Sequence, residues 1–60
     1  MRKGTIVKYI GKDEIAKGMT FRVIRRRGNL IEVHFPIRYC DGSIHASASN
    51  QPITDFEIVR

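Results

Sequence analysis

The chain has 60 residues and a mass of 6.9 kDa, so we expect one domain over residues 1–60. A chain of this length buries only about 60% of its unfolded surface, which excludes a dinucleotide fold, a repeat array or a large enzyme cleft. Eleven Lys and Arg residues against six Asp and Glu give a net charge of +5 and an isoelectric point near 10.0. This balance favours a polyanionic partner, most often nucleic acid.

The single cysteine and the start of the chain bear on the compartment. Cys40 has no second cysteine to pair with, which is typical of a cytoplasmic protein. The charged start Met1–Gly4 is followed by no long apolar segment, so we expect neither a signal peptide nor a membrane span. One Cys and two His without zinc-ligand spacing predict no metal site, and we expect no cofactor.

The composition favours strands over helices. Nine isoleucines and four valines stand against one leucine and three alanines, and β-branched side chains pack well on strands. In chain order the pattern predicts strands at 5–10, 20–26, 30–35, 43–47 and 55–59, and one helical turn at most over 12–17. The joints are marked by turn residues: Gly18, Gly28, Asn29, Pro36, Asp41, Gly42 and the segment 50–52.

The hairpin around Gly28 has two candidate registers. A two-residue loop would place Phe21 on the face of His34 and divide the apolar residues, whereas a three-residue loop over 27–29 collects them on one face. Because a one-residue shift inverts every side chain, the pattern predicts the three-residue loop, with Arg26 opposite Leu30. The predicted core is then Val7, Phe21, Val23, Ile31, Val33, Phe35, Ile44, Phe56 and Ile58.

Five short strands favour a small, partly open barrel, which hides most strand edges. Gly4-x-x-Val7, then Gly11, then Lys17-Gly18-x-x-Phe21-x-Val23-Ile24 resembles the spacing that opens small bacterial and phage SH3-like barrels and KOW domains. Residues 51–59 are similar to the 3₁₀ turn and last strand that close such a barrel. The resemblance implies an all-β fold, a five-stranded SH3-like barrel, and carries no function by itself.

Catalytic chemistry finds little support. Cys40, a histidine and Asp41 can be drawn as nucleophile, base and orienting group. However, Asp41 before Gly42 is a typical turn residue, and we expect Cys40 to be half-buried beside that turn. A barrel this small rarely encloses a cleft of about 300 Å³, so we expect a non-enzymatic protein. Without tryptophan, a groove for proline-rich peptides is also not expected.

The basic residues predict a nucleic-acid interface. Arginine forks match phosphate oxygens, and a tyrosine beside them can stack on a base. The run 25–27 leads into the hairpin tip, although charges there also block edge-to-edge aggregation. The predicted nucleic-acid-binding residues are Lys8, Arg22, Arg25, Arg26, Arg27, Arg38 and Tyr39.

Exposed aliphatic residues leave a second interpretation open. The predicted register places Ile24 and Leu30 on the outer face with the arginines and His34. An apolar centre within a polar rim is typical of protein interfaces. The alternative is therefore a protein-interaction module or regulator, of the mobile-element or phage type, that binds an acidic host protein. A homodimer that completes the core of a small domain fits the same residues.

Overall fold

The computed structural model describes residues 1–59 and is all-β, as predicted. The elements are β1 (Ile6–Tyr9), β2 (Thr20–Arg22), β3 (Arg25–Arg27), β4 (Leu30–Arg38), β5 (Ile44–Pro52), the 3₁₀ helix (Ile53–Asp55) and β6 (Phe56–Ile58). The strands are antiparallel and form two three-stranded sheets, in the orders β2–β1–β6 and β3–β4–β5, which do not close into a barrel over the described residues. The prediction of five strands is wrong, whereas the short 3₁₀ helix before the last strand is confirmed.

The predicted second strand is divided because the chain changes sheet between Val23 and Ile24. Val23 still belongs to the first sheet: its N–H donates to Thr5 O at 2.9 Å, and its carbonyl accepts from Gly4 N–H at 2.7 Å. The N–H of Ile24 instead donates to Glu32 O on β4, at 2.9 Å. One continuous segment therefore supplies β2 to one sheet and β3 to the other.

The hairpin loop has two residues, Gly28 and Asn29, so the predicted three-residue loop is wrong. Arg27 pairs with Leu30 and Arg26 with Ile31, one position away from the predicted register. The extra residue that was predicted in the loop instead lies within the strand, away from the turn, where both Ile24 and Arg25 lie opposite Glu32. Two residues opposite one define a β-bulge. Because of this bulge, the side chains before residue 25 lie on the faces that the three-residue loop predicted for them. Phe21 and Phe35 accordingly stack in the core, with ring centroids 5.6 Å apart.

The core lies between the two sheets, and seven of its predicted members are buried there. Ile44 and Ile58 were predicted inside but are 49% and 45% exposed. Ile44 pairs with Arg38 at the distal end of the β4–β5 hairpin, beyond the reach of the core, and Ile58 lies on the edge strand β6. The buried hydrophobic residues are Val7, Tyr9, Ala16, Phe21, Val23, Ile31, Val33, Phe35 and Phe56.

The β4–β5 hairpin is longer than predicted, with nine residues in each strand. Pro36, expected to end the third predicted strand, lies within β4 opposite Ala46. A proline is tolerated there because β3 flanks β4 only at residues 30–32, which leaves that side of the strand without a ladder partner at Pro36. The molecule is consequently elongated, with principal extents of 34 × 19 × 16 Å.

Candidate nucleic-acid interface

An open groove of about 620 Å³ lies where the chain passes from the first sheet to the second. We call it the basic groove; it is lined by Lys3, Gly4, residues 20–24 and His34. Its lining carries two permanent cations, Lys3 and Arg22, and no carboxylate. The expectation that so small a protein has no sizeable cleft is therefore wrong for this open groove, which lies beside two sheets that do not close into a barrel over the described residues.

The backbone fixes the walls of the basic groove. Ile6 pairs with Arg22 in the first sheet, and the Gly4 N–H bond to Val23 O carries the segment before β1 along the bend. Gly4 has φ +88°, a conformation that favours glycine, and this turns Lys3 towards the groove wall. On the other wall His34 projects from β4. Arg22 and His34 therefore line the same groove from different strands.

The arginine run on β3 is divided between two faces. Successive side chains of a strand alternate, so Arg25 and Arg27 share one face with their ladder partners Glu32 and Leu30, and Arg26 points to the other. His34 lies on the same face of β4 as Glu32, which makes the Arg25 face continuous with the basic groove. The Nε of Arg26 donates to Gly28 O at 2.9 Å, so this side chain stabilises the turn.

The other predicted binding residues lie at different distances from the basic groove. Lys8 is exposed on the outer face of the first sheet, where its ladder partners are Thr20 and Glu57. Arg38 was predicted in a loop but is the last residue of β4. It lies eight positions from Leu30, roughly 26 Å along an extended strand. Arg38 and the exposed Tyr39 therefore form no continuous surface with the arginines of β3.

The candidate apolar interface is only partly exposed. Leu30 is 42% exposed and His34 is exposed, but Ile24 is half-buried in the lining of the basic groove. Ile24 and Leu30 were predicted to be two exposed aliphatic residues on one face. The bulge draws Ile24 inward, and Leu30 remains at the hairpin end.

The tip of the β4–β5 hairpin holds the residues considered for catalysis. Asp41 Oδ1 accepts hydrogen bonds from Ser43 Oγ at 2.6 Å and Ser43 N–H at 2.8 Å, and both lower the pKa of Asp41 from its ordinary value of 3.8, the side-chain bond more. His45 Nε2 lies 2.9 Å from Ser43 Oγ. With its hydroxyl proton directed to Asp41, Ser43 accepts from His45 and is not activated as a nucleophile. Cys40 is exposed, not half-buried, because the loop projects beyond the core.

The described part of the chain offers neither a metal-binding cluster nor a membrane-spanning helix. Residues 1–59 contain no cluster of three or more His, Cys, Asp or Glu side chains suited to a metal ion. No helix among them is long and apolar enough to cross a membrane. Comparison of the chain with protein-family models, characterised proteins and solved structures finds no match.

Sequence reasoning missed Lys3 as a member of the site. The start of the chain shows only a charged tetrapeptide. In the structure a turn brings Lys3 to the groove: Thr5 N–H donates to Arg2 O at 3.0 Å, and Gly4 has φ +88°. Gly4 is the residue that marks this turn in the sequence, and a search for basic runs does not use it.

Proposed function

We propose that this protein is a small, non-enzymatic nucleic-acid-binding protein that uses the basic groove and the adjoining Arg25 face. The observation that carries the proposal is a concave surface with two cations and no carboxylate in its lining. Arginine and lysine at such a surface neutralise phosphates and release counterions. The net charge of +5 supports the same partner, because it favours encounter with a polyanion.

We further propose that the two sheets correspond to an SH3-like arrangement in an open form. Three features support this assignment: one bent segment shared by both sheets, a 3₁₀ helix before the last strand, and pairing of that strand with β1. In this arrangement the basic groove lies where the shared segment passes from one sheet to the other. The assignment concerns the fold, and the proposed function stands on the groove itself.

Charge-removing variants at matched positions test where nucleic acid binds. Arg22→Ala is compared with Arg38→Ala, since both remove one exposed guanidinium but lie in different parts of the molecule. Arg22→Ala is expected to lower the slope of log affinity against log salt by about 1, as for a lost phosphate contact. Arg38→Ala is expected to leave the slope nearly unchanged. Equal losses in both variants would show diffuse attraction to net charge and contradict the groove as the site.

A further variant separates this proposal from the protein-interaction alternative. Ile24→Ser removes an aliphatic side chain from the groove wall and leaves every charge in place. Phosphate neutralisation depends on the cations, so we expect nucleic-acid affinity to persist. A capture experiment from cells with and without nuclease is the companion measurement. Retention of a single acidic protein after nuclease treatment, lost in Ile24→Ser, would favour a protein partner instead.

A further inference from the structure

Strand β5 is a long edge without the features that usually protect one. In the described residues its backbone is paired with β4 on one side, and no other strand lies along the second side. The nine residues Ile44–Pro52 include no Lys, Arg, Asp or Glu, and the only proline is the last residue. Unpaired N–H and C=O groups along such an edge are a template for pairing with another strand.

We propose that two copies of this chain pair antiparallel through β5 and form one continuous six-stranded sheet. The length of the strand selects the occupant: the other edge strands β2, β3 and β6 have three residues each, so a second β5 matches the full edge. Full overlap sets Ala48 opposite Ala48 of the second copy on a two-fold axis. Ile44 then lies opposite Pro52 of the second copy.

The side chains along β5 suit this pairing. At its centre Ala46 and Ala48 alternate with Ser47 and Ser49, which are small on both faces and allow close approach. At each end the exposed Ile44 meets Pro52 of the second copy, whose own ladder partner is Leu30. The exposed side chain of Ile44 is therefore covered at both ends of the paired strands. A chain of net charge +5 can associate along this edge because β5 itself carries none of that charge.

Sedimentation equilibrium of the full chain measures the association directly. The wild type is expected to show a concentration-dependent mass approaching twice 6.9 kDa. Ala48→Lys places two ammonium groups opposite each other on the two-fold axis and should weaken the dimer at least about tenfold. Thr54→Lys is the matched control, because it adds the same charge at an exposed position outside β5 and should leave association unchanged.

Disulfide formation tests the register with a smaller change. In a Cys40→Ser background, Ala48→Cys should cross-link two copies, since opposite Cα atoms in a sheet are about 4.5–5.5 Å apart. Ala46→Cys is the control: it lies four positions from its own copy, roughly 13 Å along the strand, and should not cross-link. A monomer at every concentration, a dimer insensitive to Ala48→Lys, or equal cross-linking at both positions would overturn the proposal. A monomer that instead binds a foreign extended peptide along β5 would also overturn it.

Discussion

Gly11 lies so close to the ring of Tyr9 that a side-chain Cβ has no room there. A Cβ at this position would overlap the hydroxyl and ring of Tyr9, a buried core residue. Tyr9 packs edge-on against Phe35 and Phe56, with ring centroids 5.2 and 5.3 Å away, so it has little freedom to move. We expect Gly11→Ala to lower the free energy of unfolding by about 1–3 kcal/mol. Urea denaturation beside the exposed Lys12→Ala measures this, and equal stability of the two variants would contradict it.

The hydrogen bonds between Asp41 and Ser43 should depend on pH. The hydrogen bonds from Ser43 depress its pKa in the folded chain, so they stabilise the tip above the ordinary value of 3.8 and are lost as pH falls through the depressed pKa. Nuclear magnetic resonance should therefore show the Ser43 amide shifting with a midpoint below 3.8. The variant Asp41→Asn should abolish that titration, and a wild-type midpoint at or above the ordinary value would refute the assigned bonds.

The β3–β4 hairpin closes with a two-residue turn, and its extra residue lies in the strand as a bulge. In the two-residue loop Gly28 has φ +56°, whereas Asn29 has no positive φ, which is the pattern of a type II′ turn. Gly28→Ala should thus cost about 1–2 kcal/mol of stability, because a Cβ is disfavoured in the left-handed region. Asn29→Ala is the matched control and should cost less. The prediction fails in thermal denaturation when the alanine at 29 is the more harmful of the two.

The bulge also explains which part of the element was predictable from sequence. One extra residue in the loop and one extra residue in the strand give the same face to Phe21 and Val23, so the apolar pattern cannot distinguish them. The core-facing residues were therefore predicted correctly from a wrong register. The end of β5 was missed for a different reason: Ala48, Ser49 and Asn50 have low strand propensity, and pairing with β4 holds them extended.

The free energy of unfolding of the whole molecule depends on a small core between the two sheets. Val33 is fully buried, so Val33→Ala should lower the free energy of unfolding by about 1–3 kcal/mol through lost contacts and a cavity. Val59→Ala makes the same change at a side chain that is 44% exposed and should have a much smaller effect. Chemical denaturation compares the two, and similar losses would contradict the position of the core. Since domains of this size are marginally stable, the Val33 variant should be partly unfolded on warming.

The candidate site was predicted only in part, because its residues come together through the arrangement of the two sheets. Exposure of Arg22 follows from strand alternation, because it lies between the buried Phe21 and Val23. The face that Arg25 and Arg27 occupy does not follow from it, because the β-bulge reverses the alternation from residue 25 onward. The groove does not follow from the sequence, because it lies where the chain passes from one sheet to the other and where the turn over residues 2–5 brings Lys3 to the same place. Arg38 was grouped with the other arginines by charge alone, and the length of the hairpin separates it from them.

We expect Lys3, Arg22, Arg25 and Arg27 to bind phosphates, and a salt titration measures how many phosphates are neutralised. Fluorescence titration with single-stranded and duplex oligonucleotides gives the affinity at each salt concentration. Four neutralised phosphates predict a log–log slope of about −3 on single strands, or roughly a fiftyfold loss between about 50 and about 200 mM salt. Micromolar or tighter binding with that slope is the expected result. Absence of binding at low salt, or an affinity that does not change with salt, would contradict phosphate binding by these four residues.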